Sequence, residues 1–224
     1  MKNTIITLLL ILPFSFFAQT QTRQERKEIS KNQIENLKEG VLLVRLYNKK
    51  NVITALENKG MARRAKAVKD KQKSVNKEIM VSFKSFTFCE VYFFFSDNSS
   101  YLLTKDYSKV ELFTDSGINK EKILMDSNFF VADFGVLQNE NSTSSDNDGS
   151  NKSGRTKVKK YKGGASFTNK RCMFLIDSDL NQLKRPFPYT VWFHPTPIQQ
   201  LSYKQVVERM DNQLKEFYAK NKKL

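Results

Sequence analysis

The chain has 224 residues, with 38 Lys and Arg against 23 Asp and Glu for a formal charge of +15, and it carries one His, two Cys and 18 Phe. That length suits one domain able to bury about 70% of its unfolded surface. The composition excludes a collagen-like chain, a disulfide-dense miniprotein and a polytopic membrane protein, and one His with two Cys falls short of a four-ligand structural zinc site.

Met1–Ala18 has a Lys at position 2, an apolar run from Ile5 to Phe17 and a small residue at its end. This is the pattern of a secretory signal peptide, so we expect cleavage after Ala18, a single mixed α/β domain over 19–224, and a secreted or periplasmic protein. The run is short for a membrane span and contains Pro13, so no transmembrane segment is expected after processing. Phe16 departs from the small residue usual three positions before a cleavage site. Export also takes the chain away from ATP and nicotinamide cofactors, and no cofactor is expected.

Residues 22–39 read as a helix, opened by a Thr22/Glu25 capping box, stopped at Gly40 and carrying Ile29, Ile34 and Leu37 as a thin apolar stripe. Val41 to Tyr47 is almost continuously apolar and reads as a strand buried on both faces. From Asn51 to about Lys84 the pattern is a long basic amphipathic helix, broken or kinked near Gly60. Met61, Ala65, Val68, Val75, Ile79 and Phe83 line one face. Between Lys59 and Lys84 there are nine Lys or Arg and two acids. Strands are expected at Val91–Ser96, Val110–Thr114, Phe129–Leu137 (with Asp133 inside it), Cys172–Asp177 and Tyr189–Phe193, with a short helical turn between Asp97 and Lys105. Residues 138–164 are polar, then basic, and too poor in apolar side chains to offset the entropy of ordering; they read as a flexible loop within the domain. Ser202 and Gln205 cap an amphipathic C-terminal helix whose stripe is Val207, Met210, Leu214 and Phe217. The expected fold is α/β or α+β, a mixed β-sheet with flanking helices.

Few segments carry a chemical signature. Gly149–Thr156 has phosphate-loop glycine spacing but places Arg155 where the lysine belongs and follows a Ser/Asn tract instead of a strand. Asp146 and Asp148 fall at two EF-hand positions while Ser144 and Arg155 occupy the end positions, which rejects that motif; no metal site is expected. Phe174-Leu-Ile-Asp177-Ser178-Asp179-Leu180 resembles the first motif of the haloacid-dehalogenase-like phosphatases. That resemblance implies a metal-dependent phosphohydrolase, with Asp177 as nucleophile and Asp179 as acid/base beside Mg²⁺. The same letters also make an Asp/Asn-rich turn without chemistry. Asp97, Asp115 and Asp177 each follow a strand and would gather at one sheet edge if those strands ran parallel. His194 is the lone imidazole, open to pairing with Cys89 or Cys172. Those two cysteines either form a disulfide or stay as buried thiols.

The basic surface remains. We expect anion binding through Lys66, Lys69, Lys73 and Lys77 on the long helix and Lys157, Lys159 and Lys160 in the loop. The expected partner is an anionic envelope or extracellular polymer, or lipid headgroups. Lys outnumbers Arg 29 to 9, so specific nucleic-acid recognition, which favours the arginine fork, is not expected. The balance favours a non-catalytic binding or structural protein.

Overall fold

The computed structural model describes residues 22–114, 128–136, 171–196 and 198–222. The expected signal peptide, Asp115, the 138–164 loop and Lys157, Lys159 and Lys160 lie outside the described residues.

Five strands form one mixed sheet: β1 (Val41–Leu46), β2 (Glu90–Phe95), β3 (Phe129–Val136), β4 (Arg171–Ile176) and β5 (Thr190–Trp192), in spatial order β2-β1-β3-β4-β5. β1 is parallel to both β2 and β3, whereas β3–β4 and β4–β5 are antiparallel. Side chains alternate between the two faces of a strand, and here both faces are covered. On the first face Leu42, Val44, Phe93, Phe130, Ala132, Met173, Leu175 and Val191 pack under helices. On the second, Leu43, Tyr92, Phe94, Val131, Cys172 and Ile176 meet Leu102, Val110 and Leu112. This double cover explains why β1 reads as an unbroken apolar run.

Three helices cover the first face: α1 (Arg23–Glu39), α3 (Ala62–Ser82) and α5 (Tyr203–Lys222). α1 starts at the expected capping box, with Thr22 accepting from the Glu25 amide at 3.2 Å and Glu25 from the Thr22 amide at 2.8 Å. Ile34 and Leu37 are fully buried; Ile29 is exposed and does not join the core. Gly40 stops α1 in an extended conformation (φ −97°), not a left-handed one. A glycine is needed there because a Cβ would stand 1.9 Å from the Asn128 carbonyl oxygen, where the chain passes beside β3.

The expected long helix is two helices. α2 (Lys50–Asn58) ends before Gly60, whose φ of 71° only glycine adopts without strain, and α3 follows. Ala65, Ile79 and Phe83 reach the core, while Met61 stays exposed. Val110–Thr114 corrects the sequence reading. It makes one antiparallel bridge, Phe113 to Phe93, and is not a ladder strand. Val110 and Leu112 turn into the second-face core, and Phe113 stacks on Phe93 and Phe95 instead. The segment thus wraps the outer edge of β2. A short α4 (Ser99–Leu103) precedes it.

α5 is tied to the sheet by a buried carboxylate. Asp211 is 3% exposed; its Oδ1 accepts the Thr87 and Phe88 amides at 2.9 and 2.8 Å, and Oδ2 pairs with Lys215 at 2.6 Å. These two amides lead into β2 and have no helix or ladder to serve them. Removing their acceptor leaves the buried Phe88 amide without a partner, at about 1–3 kcal/mol, and the part-buried Thr87 amide at less. Asp211→Ala should therefore lower the urea unfolding free energy by about 3 kcal/mol, and Asp211→Asn, which keeps an acceptor oxygen, by distinctly less. Equal midpoints for wild type and Asp211→Ala would show that this anchor carries no stability.

Candidate functional site

The lysines singled out from sequence stand on one helix. Lys66, Lys69, Lys73 and Lys77 are all exposed on α3. Their spacings of three, four and four place them along one ridge. None is in an ion pair with a described carboxylate, unlike Lys50, Lys105, Lys109, Lys204 and Lys215. The four are exposed, whereas Ala65, Gln72, Ile79 and Ser82 of the same helix are buried.

The acidic candidates separate. Asp97 follows β2 at the C-terminal end of the parallel strands. Asp177 follows β4, which runs antiparallel, with Ile176 beside Val131 of β3, so it emerges at the other end of the sheet. The expected gathering of strand-end carboxylates does not occur between these two. Asp177 Oδ1 accepts the Asp179 and Asn181 amides at 3.1 and 2.7 Å, and Leu180 takes a φ of 59°. This is an Asx-stabilised turn. Asp179 pairs with Lys105 at 3.5 Å on the surface. Among the described residues no three His, Cys, Asp or Glu side chains group as metal ligands would.

Cys89 precedes β2 at one edge of the sheet and His194 follows β5 at the other. No disulfide joins the two cysteines; Cys172 is buried and Cys89 half-buried. Three strand spacings separate β2 from β4, about 14 Å, against about 7 Å for a disulfide. Burial pushes the Cys89 thiol up to about 12. At neutral pH it is therefore protonated and a poor nucleophile. The natively folded chain should react slowly with a thiol reagent at pH 7.5, and the urea-unfolded chain should label at both cysteines without prior reduction. A mass deficit of two hydrogens would reveal the disulfide instead.

A polar cluster that the sequence reading did not assemble sits inside the second face. Arg45 of β1 and Asp133 of β3 form an ion pair at 2.8 Å, with side chains 14% and 6% exposed. Tyr47 donates to both carboxylate oxygens at 2.9 Å, and the Phe134 amide donates to Oδ1 at 2.7 Å. Asp133 is thus fully served. Arg45 is not: Nε and Nη2 are buried with no hydrogen-bond partner among the described residues. The strand registers extend this pair into a row across the sheet. Arg45 lies beside Phe94, and Asp133 beside Phe174, which lies beside Thr190. The signal in the sequence was one charge of each sign inside two otherwise apolar strands.

Tyr47 is 36% exposed as a residue, yet desolvation of its hydroxyl and the neighbouring Asp133 charge raise it to about 12 against the opposing Arg45 charge. A raised folded value means the protonated form is favoured by folding. Its contribution is complete below the unfolded value near 10 and is lost as pH rises toward 12. Unfolding free energy should fall across that window, and Tyr47→Phe should flatten the fall. An identical slope in the variant would remove Tyr47 as its source.

A cleft of about 480 Å³ lies beside β2, lined by Met80, Phe83, Phe86, Cys89, Val91 and Phe93 with Lys84 and Glu90. No helix among the described residues is long and apolar enough to cross a membrane. No family model, curated protein or solved structure matches the chain.

Proposed function

We propose that the protein is an exported, non-catalytic binding protein whose α3 lysine ridge engages an anionic polymer or the headgroups of an anionic membrane. The observation that carries this reading is the set of four exposed lysines at helical spacing, free of ion pairs with described carboxylates, on a chain of charge +15. Solvated ammonium groups on flexible stems suit a repeating anionic surface, where register is unimportant. The Met1–Ala18 leader supports the location, placing the ridge where anionic envelope or extracellular material is the available partner.

Each such lysine is worth about 1 kcal/mol beside an anionic bilayer, and the attraction is screened within about 8–10 Å at ordinary salt. Reversing Lys66, Lys69, Lys73 and Lys77 to Glu should therefore lower affinity for phosphatidylserine vesicles at least about 100-fold and advance elution from heparin by a large salt step. Retention on heparin with loss on vesicles, or the converse, would name the partner class. Unchanged behaviour on both would overturn the proposal. Lys157, Lys159 and Lys160 belong to the same proposal as a second contact, tested by adding their reversal to the α3 variant.

A further inference from the structure

The Arg45 guanidinium is unusual in what it lacks. Nη1 is spent on Asp133, whereas Nε and Nη2 have no hydrogen-bond partner among the described residues and are shut away from solvent. Those two nitrogens form the lateral edge of the guanidinium, and their N–H bonds point the same way, at the spacing of two oxygens of one carboxylate or phosphate. The charge is paired with Asp133, but each buried N–H donor without a partner still costs about 1–3 kcal/mol. Asp133 balances the charge, but its oxygens are taken by Tyr47, the Phe134 amide and Nη1, so it does not serve these two donors.

Topology supplies an independent pointer. From β1 the chain goes to β2 on one side of the sheet; from β3 it goes to β4 on the other. The C-terminal ends of the neighbouring parallel strands β1 and β3 are therefore a switch point, the place where open α/β sheets bind ligands. Arg45 is the fifth residue of six in β1, facing Asp133 across that junction. The hydroxyl of Ser99, at the start of α4 beyond the C-terminal end of β2, is also buried without a partner among the described residues. The Phe94 ring, 5.9 Å from the guanidinium carbon, backs the group with an apolar wall.

We propose that the free edge of Arg45, at the β1/β3 switch point, binds the oxyanion of a small ligand through a two-point contact, with Asp133 and Tyr47 holding the guanidinium in place. A carboxylate and a phosphate group share this chemistry. The site is on the sheet face opposite α3, so it does not depend on the lysine ridge.

The test is a titration of the full chain with inorganic phosphate and, separately, acetate, followed by the ¹H–¹⁵N signal of the Arg45 side-chain Nε–H, assigned by its loss in Arg45→Lys. A saturable shift in the millimolar range is expected with at least one anion. Phosphate alone would name a phosphate ester as the ligand class, and acetate alone a carboxylate. Arg45→Lys keeps the charge beside Asp133 but removes the fork, and should weaken binding, measured by calorimetry, at least about tenfold. The Lys66/Lys69/Lys73/Lys77 reversal should leave the Arg45 shift intact, which separates this site from the ridge. A signal unmoved by either anion would mean that water alone serves the fork and would overturn the proposal. Undiminished binding in Arg45→Lys would do the same. Should Arg45→Lys fail to fold, assignment by through-bond correlation from the β1 backbone leaves the wild-type titration decisive.

Discussion

The contact between Arg45 and Asp133 fixes how the two halves of the sheet meet. β3 is shared: parallel to β1 on one side and antiparallel to β4 on the other. A slip of one residue between β1 and β3 would carry Asp133 to the first face, among Phe130 and Phe134, and away from Arg45 and Tyr47. The apolar residues around the pair tolerate such a slip far better than the charges do. A buried ion pair adds little net stability over a well-packed apolar pair, because desolvation consumes the Coulombic gain. Its weight falls instead on register, and on the unequal way its two members are satisfied. The carboxylate is complete, whereas the guanidinium keeps two donors with no described partner.

The two faces of the sheet are built differently, and each supports a different kind of contact. Three helices of 17 to 21 residues cover the first face, and the outer side of one of them carries the lysine ridge. Among the described residues, the second face is covered by the five-residue α4 and the Val110–Leu112 segment. A thick helical layer can present charge to a partner without disturbing the core beneath it. The α3 lysines and Arg45 therefore lie on opposite sides of the sheet.

Local signals carried most of the architecture. The Thr22 capping box, the apolar run of β1 and the Ser202/Gln205 box each depend on residues a few positions apart, and each element formed where they pointed. Val110–Thr114 misled because alternation alone cannot distinguish a ladder strand from a segment whose side chains fill the flank of an edge strand. Strand direction was equally hidden. Asp97 and Asp177 look equivalent in the sequence, but β4 runs against β2, so they leave opposite ends of the sheet. Arg45 and Asp133 are 88 positions apart, and only the β1–β3 register joins them. Gly40 reads as a helix stop, yet the pressure on that position comes from Asn128, a residue of a distant segment.

Among the described residues two arginines stack on aromatic rings, and they show why Arg45 differs from a structural cation. Arg171 lies between Phe193 and Tyr203, with ring centroids 4.8 and 4.7 Å from its guanidinium carbon, and donates to the Tyr203 hydroxyl. The residue as a whole is exposed, so water can serve what the rings do not. Planar, weakly hydrated and delocalised, the guanidinium suits that role better than an ammonium would. Arg45 also lies over a ring, that of Phe94, and has a carboxylate besides. Its remaining donors, however, are cut off from solvent. A cation that only held strands together would be satisfied by the partners that hold it, as Asp133 is. The surplus at Arg45 is directional, two N–H bonds along one edge, and directional surplus in a dry setting is what recognition of a planar or tetrahedral oxyanion requires. The exposed lysines of α3 have the reverse character: solvated, mobile and without fixed geometry, suited to charge density more than to shape.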